Sequence, residues 1–198
     1  MTTSAISFPA ALKAARRVST PLIAVRTFDP ASVQQAVICS LSTNGQVPIV
    51  RWDIMRGIGA ANELAKGVVA QLLNGQNPES LGPSDLLALA TRLPEDAIVI
   101  GHNFHRFWND PAVVQGVWNL RDPFKADGRT LLMMACPGAH LPEELTQDVL
   151  VLDQPLPGQD DLEQIVQDTF HSAEMDEPSP QDLGRAVDAV IGLASFPA

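Results

Sequence analysis

The chain has 198 residues, 13 Lys plus Arg against 23 Asp plus Glu, a formal net charge of −10 and 45% hydrophobic residues. That length predicts one domain with room for an appendage, and the apolar content excludes an intrinsically disordered chain. The negative field disfavours binding to bulk nucleic acid or to anionic membrane surfaces.

Taken in chain order, short β-branched runs alternate with stretches of helical spacing, which is the pattern of an α/β fold. Leu22 to Thr27 is the first predicted strand. Asp29-Pro30 reads as an N-cap followed by proline at the first helical position, and opens a helix through Leu41 that stops at Asn44-Gly45. A second strand, Val47 to Asp53, precedes Gly57-Ile58-Gly59, read as a loop entering a helix from Ala60 to Leu73. Ser84 caps a short helix, Asp85 to Leu93. Ala97 to Gly101 is a compact apolar strand of the kind found at the centre of a parallel sheet. Asp110-Pro111 repeats the cap pattern and starts a helix through Val114, Val117 and Leu120. Arg129 to Ala135 and Val149 to Leu152 are the last two strands, and Leu162 to Phe170 and Asp182 to Leu193 the last two helices. Right-handed βαβ crossovers then predict a three-layer sandwich with a mostly parallel five-stranded sheet. Ligands in such sheets sit at the carboxyl ends of the strands.

Charge is distributed unevenly. Residues 1–75 are net +4 and residues 76–198 net −14, and in 141–198 thirteen acids face only Arg185. Either these acids cover solvated helices and loops, or they present a surface to a basic partner. The longest apolar run, Leu131 to Cys136, is far short of the ~20 residues that span a bilayer, and Met1 to Ala10 lacks the features of a signal peptide. A soluble, cytoplasmic protein is expected. Cys39 and Cys136 allow one disulfide at most, which is no secreted framework, and Cys136 at a strand end reads as a small core residue.

Phosphate-binding loops need glycines that expose backbone N–H groups and a lysine that reaches the terminal phosphates, as in G-x-x-x-x-G-K-[ST]. The three lysines exclude it: Lys13 is followed by Ala14, Lys66 by Gly67 and Lys125 by Ala126. The segment Ile98-Val99-Ile100-Gly101-His102-Asn103-Phe104-His105-Arg106-Phe107 places polar residues directly after an apolar strand, where ATPases hold magnesium-binding and water-activating carboxylates. No carboxylate stands there. Asn103 cannot act as a base, and imidazoles are poor magnesium ligands. His102, His105 and His140 leave a zinc site open, against the plainer reading that they hydrogen-bond the strand end over a packed Phe104, Phe107 and Trp108. No catalytic residue is identified. Glu143-Glu144 and Asp160-Asp161 are explained as acids at helix starts.

Several ordered pieces resemble a known family. They are the opening helix and strand around Pro21-Leu22-Ile23, then Trp52 with Arg56-Gly57, then Phe104-His105-Arg106-Phe107 followed by Asp110-Pro111-Ala112-Val113-Val114. Arg129-Thr130-Leu131-Leu132, Leu141-Pro142-Glu143-Glu144-Leu145 and Val151-Leu152-Asp153 with Pro155-Leu156-Pro157 complete the set. Together they resemble the degenerate amino-terminal domain of the AAA+ ATPases first noted in chloroplast genomes and also found in bacteria. That family usually has Asp before the Phe-His-Arg-Phe block, where this chain has Asn103. The resemblance implies a P-loop NTPase-like fold without a phosphate loop, and a domain that does not hydrolyse nucleotide but packs against or regulates an active AAA+ module in the same or an adjacent polypeptide. A homo-oligomeric ring is implied as a setting. Residues 1–172 are then the degenerate domain, 173–180 an acidic linker, and 181–198 the start of a helical lid or connector. The apolar stripe Leu183, Ala186, Val187, Val190 and Leu193 wants a partner, so the chain is read as a fragment or split product of a longer ATPase. Arg26, His102, Asn103, His105 and Arg106 are the candidate contacts for nucleotide or partner, with ATP the one cofactor admitted. Two alternatives stay open: ATP binding through Arg26 and the amides of Thr27 to Pro30, and a small zinc hydrolase.

Overall fold

Six strands, one more than expected, form the sheet of the computed structural model, which describes residues 7–42 and 47–193. In chain order the elements are α1 (Phe8–Arg17), β1 (Leu22–Thr27), α2 (Pro30–Ser42), β2 (Ile49–Asp53), β3 (Gly57–Ala60), α3 (Glu63–Leu73), α4 (Pro83–Ala90) and β4 (Ile98–Gly101). They continue with α5 (Pro111–Ala126), β5 (Thr130–Ala135), β6 (Leu150–Gln154), α6 (Gln159–Ser172) and α7 (Pro180–Val190). Strand order is β3-β2-β4-β5-β1-β6, and every pair is parallel except β2 with β3.

The sixth strand is Gly57-Ile58-Gly59 with Ala60, which turns back antiparallel on β2, Ile58 opposite Trp52, instead of forming a loop into a helix. Gly57 sits at φ +62°, and a Cβ there would drive into the Pro78 carbonyl, so glycine is required at this turn. The expected Asn44-Gly45 stop lies outside the described residues. The helix placed at Asp85 to Leu93 ends at Ala90 and begins at Pro83, with Gly82 at the N-cap position in place of Ser84. The Asp85 carboxylate accepts the Gly82 N–H at 2.9 Å, which anchors this start two residues earlier than the serine suggested.

Alternation along the strands divides the core in two. Leu22 and Ala24 of β1, Val50 and Trp52 of β2, Val99 of β4, and Leu131 and Met133 of β5 pack with side chains of α3, α4 and α5. Ile23, Val25, Ile49, Ile98, Ile100, Leu132 and Met134 point the other way, onto α1 and α2. Every residue of β4 and β5 is buried, as their unbroken apolar sequences require. β6 is an edge strand with Leu150 and Val151 exposed. Cys136, one residue past β5, is exposed and not a core residue, and neither cysteine is in a disulfide.

At the amino ends of the strands two arginines are consumed by structure. Arg129, 7% exposed, gives Nη1 to the carbonyls of Ala90, Thr91 and Leu93 at 3.3, 2.8 and 3.2 Å. It also pairs with Asp127 and lies 5.1 Å over the Phe124 ring. Arg16 of α1 donates to the Gly128 and Asp96 carbonyls and to Thr130 Oγ1. After the sheet, α6 and α7 make their own small core of Leu162, Val166 and Val187, flanked by Leu183, Ala186 and Val190. Most of the unpartnered stripe on the last helix therefore packs on α6.

Candidate functional site: the carboxyl ends of the strands

The block after β4 is held from below by aromatic packing. Phe104 is fully buried, and its ring meets Trp52 at 5.9 Å and Phe107 at 6.4 Å, both edge to face. A Cβ on Gly101 would come within 2.7 Å of the Phe104 ring, so the glycine lets the strand end close over it. Trp52 donates its Nε1 to the Leu81 carbonyl at 3.0 Å. The chain then turns sharply through Asn103 at φ +51°, a left-handed conformation that Asn tolerates better than most residues, into the single 3-10 turn Phe104–Phe107.

Four of the five candidate residues stand on this turn. The His102 N–H donates to the Trp52 carbonyl, and its Nε2 lies 2.9 Å from Oε1 of Gln34 on α2. Burial pushes the His102 imidazole below its ordinary pKa; nearby Asp53 opposes this, while Arg51 and Arg56 add to it. Burial also lowers His105, helped by Arg106 and partly opposed by the Met134 backbone. His105 Nδ1 is buried without a partner among the described residues. Arg106 is exposed, and among the described residues no carboxylate pairs with it. Arg26 is not part of this group. It sits two strands away on β1, where its guanidinium grips Asp153 of β6 through two bonds of 2.6 and 2.7 Å. That bond raises the Arg26 pKa and lowers that of Asp153.

The β1–α2 turn is where this sheet geometry offers an anion site, at a helix N-terminus. Only Phe28 and Asp29 separate the two elements. The Asp29 N–H is bound to Thr27 Oγ1 at 2.9 Å, Pro30 has no N–H, and the Ser32 N–H is taken by the Asp29 carboxylate at 2.9 Å. Negative charge already occupies the positive end of the helix. Among the described residues no three or more His, Cys, Asp or Glu side chains group closely enough to hold a metal ion; His102, His105 and His140 do not converge.

Residues that the sequence reasoning missed complete this end of the sheet. Asp53, the last residue of β2, accepts the N–H groups of Met55 and Arg56 and pairs with the Arg56 guanidinium at 2.8 Å. Burial raises the Asp53 carboxyl, but these bonds outweigh it and hold the group below the usual carboxylate range. The turn displays Ile54 and Met55, 50% and 77% exposed, as the β1 turn displays Phe28 at 65%. Apolar side chains placed immediately after predicted strands were the available signal.

The fold and this strand-end arrangement define an AAA+-like α/β domain. The family described as "SpoVK-like AAA ATPase, N-terminal domain" matches residues 8–154, and the chain belongs to that family. No curated protein matches the chain. Among solved structures, the FIGL-1 AAA domain in complex with ADP is similar with a TM-score of 0.57 at 10% identity, over 98% of this chain and 68% of that one. Domain III of the Thermotoga maritima replication initiation protein DnaA is similar at 0.55 and 11% identity, covering 92% and 76%. The replication initiator DnaA bound to AMPPCP and single-stranded DNA gives 0.54 and 7%, over 89% of this chain and 54% of that chain, so this chain spans about half its length. These likenesses show the fold alone. No helix among the described residues is long and apolar enough to cross a membrane.

Proposed function

We propose that this is a non-hydrolysing AAA+-like domain that packs against or regulates an active AAA+ ATPase module, within a cytoplasmic ring assembly. The observation that carries the reading is the β1–α2 turn. Its Asp29 and Ser32 amides are spent within the chain, its helix N-terminus is capped by Asp29, and none of the three lysines lies near it in sequence. A nucleotide triphosphate would meet a carboxylate where it needs donors. The strand-end surface supports binding of a protein instead: Phe28, Ile54 and Met55 are exposed at the same end of the sheet as the basic Arg56 and Arg106. In this reading 1–172 is the domain, 173–180 the acidic linker, and 181–198 the start of the helical connector to the active module.

Titration calorimetry tests it. Magnesium-ATP is expected to give no saturable heat, and an active AAA+ module from the same or the adjacent reading frame to bind saturably and more weakly to Met55→Asp. Saturable ATP binding that Arg26→Ala or Arg106→Ala abolishes would overturn the reading in favour of a nucleotide-binding domain.

A further inference from the structure

The hairpin of β2 and β3 carries more positive charge than its own acid neutralises. Asp53 is the only acid in residues 49–60, and both of its oxygens are in use. Oδ1 accepts the N–H groups of Met55 and Arg56 at 3.0 and 2.9 Å, and Oδ2 accepts Arg56 Nε at 2.8 Å with Arg51 Nη1 3.8 Å away. Each guanidinium has five N–H donors, so most of those on Arg51 and Arg56 are left over. Arg51 lies along β3, its guanidinium carbon 3.5 Å from where a Cβ on Gly59 would stand, while the Arg56 side chain is 70% exposed at the tip. On the neighbouring strand, the turn after β4 adds Arg106, exposed and without a carboxylate among the described residues. The imidazole of His102 registers the imbalance: Asp53 raises its pKa, and Arg51 and Arg56 both lower it. Other acids at this end of the sheet are committed elsewhere. Asp153 is gripped by Arg26, and Asp29 and Asp110 cap α2 and α5, where the helix dipole offsets part of their charge.

The same tip is apolar. Ile54 and Met55 stand between Asp53 and Arg56, 50% and 77% exposed. A polyanion such as nucleic acid would find no use for these side chains and would meet a molecule of net charge −10. A protein carboxylate can be held by the forked guanidinium of Arg56 while a neighbouring apolar side chain covers Ile54 and Met55. We propose that the strand-end surface receives an acidic segment of its partner, in which an apolar side chain seated on Ile54 and Met55 is flanked by carboxylates that pair with Arg56, Arg51 and Arg106. The inference rests on the reading of the strand ends as a protein-docking surface, and it adds the chemistry of the partner. The arginines then supply orientation and rate of encounter, and the apolar tip supplies the buried area.

The test follows the Met55 methyl resonance of the full chain, labelled with ¹³C at its methionine methyl groups, against three synthetic dodecapeptides. One repeats Glu-Leu-Leu-Glu, one has Gln in place of Glu, and one keeps Glu with Ser in place of Leu. The Met55 signal is expected to shift saturably with the first, about tenfold tighter than with either of the others. Arg56→Gln and Arg106→Gln, both at exposed positions, are each expected to weaken it about fivefold, and raising the salt from about 50 to about 300 mM to weaken it about tenfold. No shift up to millimolar peptide, equal binding of the Gln peptide, or unchanged binding by the folded double variant would overturn the proposal. So would displacement of the peptide by a thymidine oligonucleotide, which would make the surface a nucleic-acid site. The ATPase-module reading is separated by titrating that module in parallel. Peptide binding without module binding overturns the module and upholds the acidic partner, whereas module binding that the double variant and salt leave unchanged overturns the acidic partner alone.

Discussion

The two ends of the sheet use arginine in opposite ways. At the amino ends, Arg129 and Arg16 are buried or nearly so, and their donors are distributed over backbone carbonyls of α4 and of the loops before β4 and β5. At the carboxyl ends, Arg26 and Arg56 make ion pairs with exposed components and Arg106 makes none among the described residues. The same residue type thus closes one end of the molecule and leaves the other available. The difference follows from the loops: those at the amino ends leave carbonyls that need donors, whereas those at the carboxyl ends satisfy themselves through Asp29, Asp53 and Asp110 caps.

The contrast can be broken most severely at the closed end. Arg129→Ala strands three carbonyls and the Asp127 carboxylate, and is expected to cost about 3–5 kcal/mol, read from the urea midpoint. Arg129→Lys should recover only part, because a single ammonium cannot reproduce the fork. Removing the cap at the open end is milder: Asp29→Ala should cost about 1 kcal/mol by the same measurement. If magnesium-ATP then bound, the Asp29 carboxylate would be shown to exclude it.

A smaller effect is expected from acid. His102 is held below its ordinary pKa in the fold, so the unfolded chain takes up its proton first. Its stabilising contribution is complete above pH 6.5 and is lost as pH falls below that value, and His105 acts in the same sense. The urea midpoint of His102→Asn should therefore change less between pH 7.5 and 5.5 than that of the parent chain. The smallest effect is Arg106→Ala, expected to shift stability by no more than about 0.5 kcal/mol while weakening capture of the ATPase module. A large loss of stability there would place Arg106 with the closed end.

What could be read from the sequence was what local chemistry determines. Asp29-Pro30 and Asp110-Pro111 start helices as expected, each carboxylate taking a backbone N–H of the first turn. The apolar strands β1, β4 and β5 stand where their composition placed them. The hairpin strand β3 was not legible, because two of its four residues are glycine and only its partner β2 makes it a strand. Nor could the sequence bring Gln34 to His102, a contact across 68 positions, or separate Arg26 from the block by pairing it with Asp153. Those depend on strand order, which no local pattern encodes.

The pairing of α6 with α7 also divides the molecule for anyone who watches it unfold. The chain has three tryptophans and no tyrosine, and Trp52, Trp108 and Trp118 all belong to the sheet and to α5 or the turn before it. The helix pair has only three buried residues of its own and contains no indole to report on it. Fluorescence would follow one part of the chain and helical circular dichroism both, so two melting curves that fail to superimpose would show this pair opening by itself.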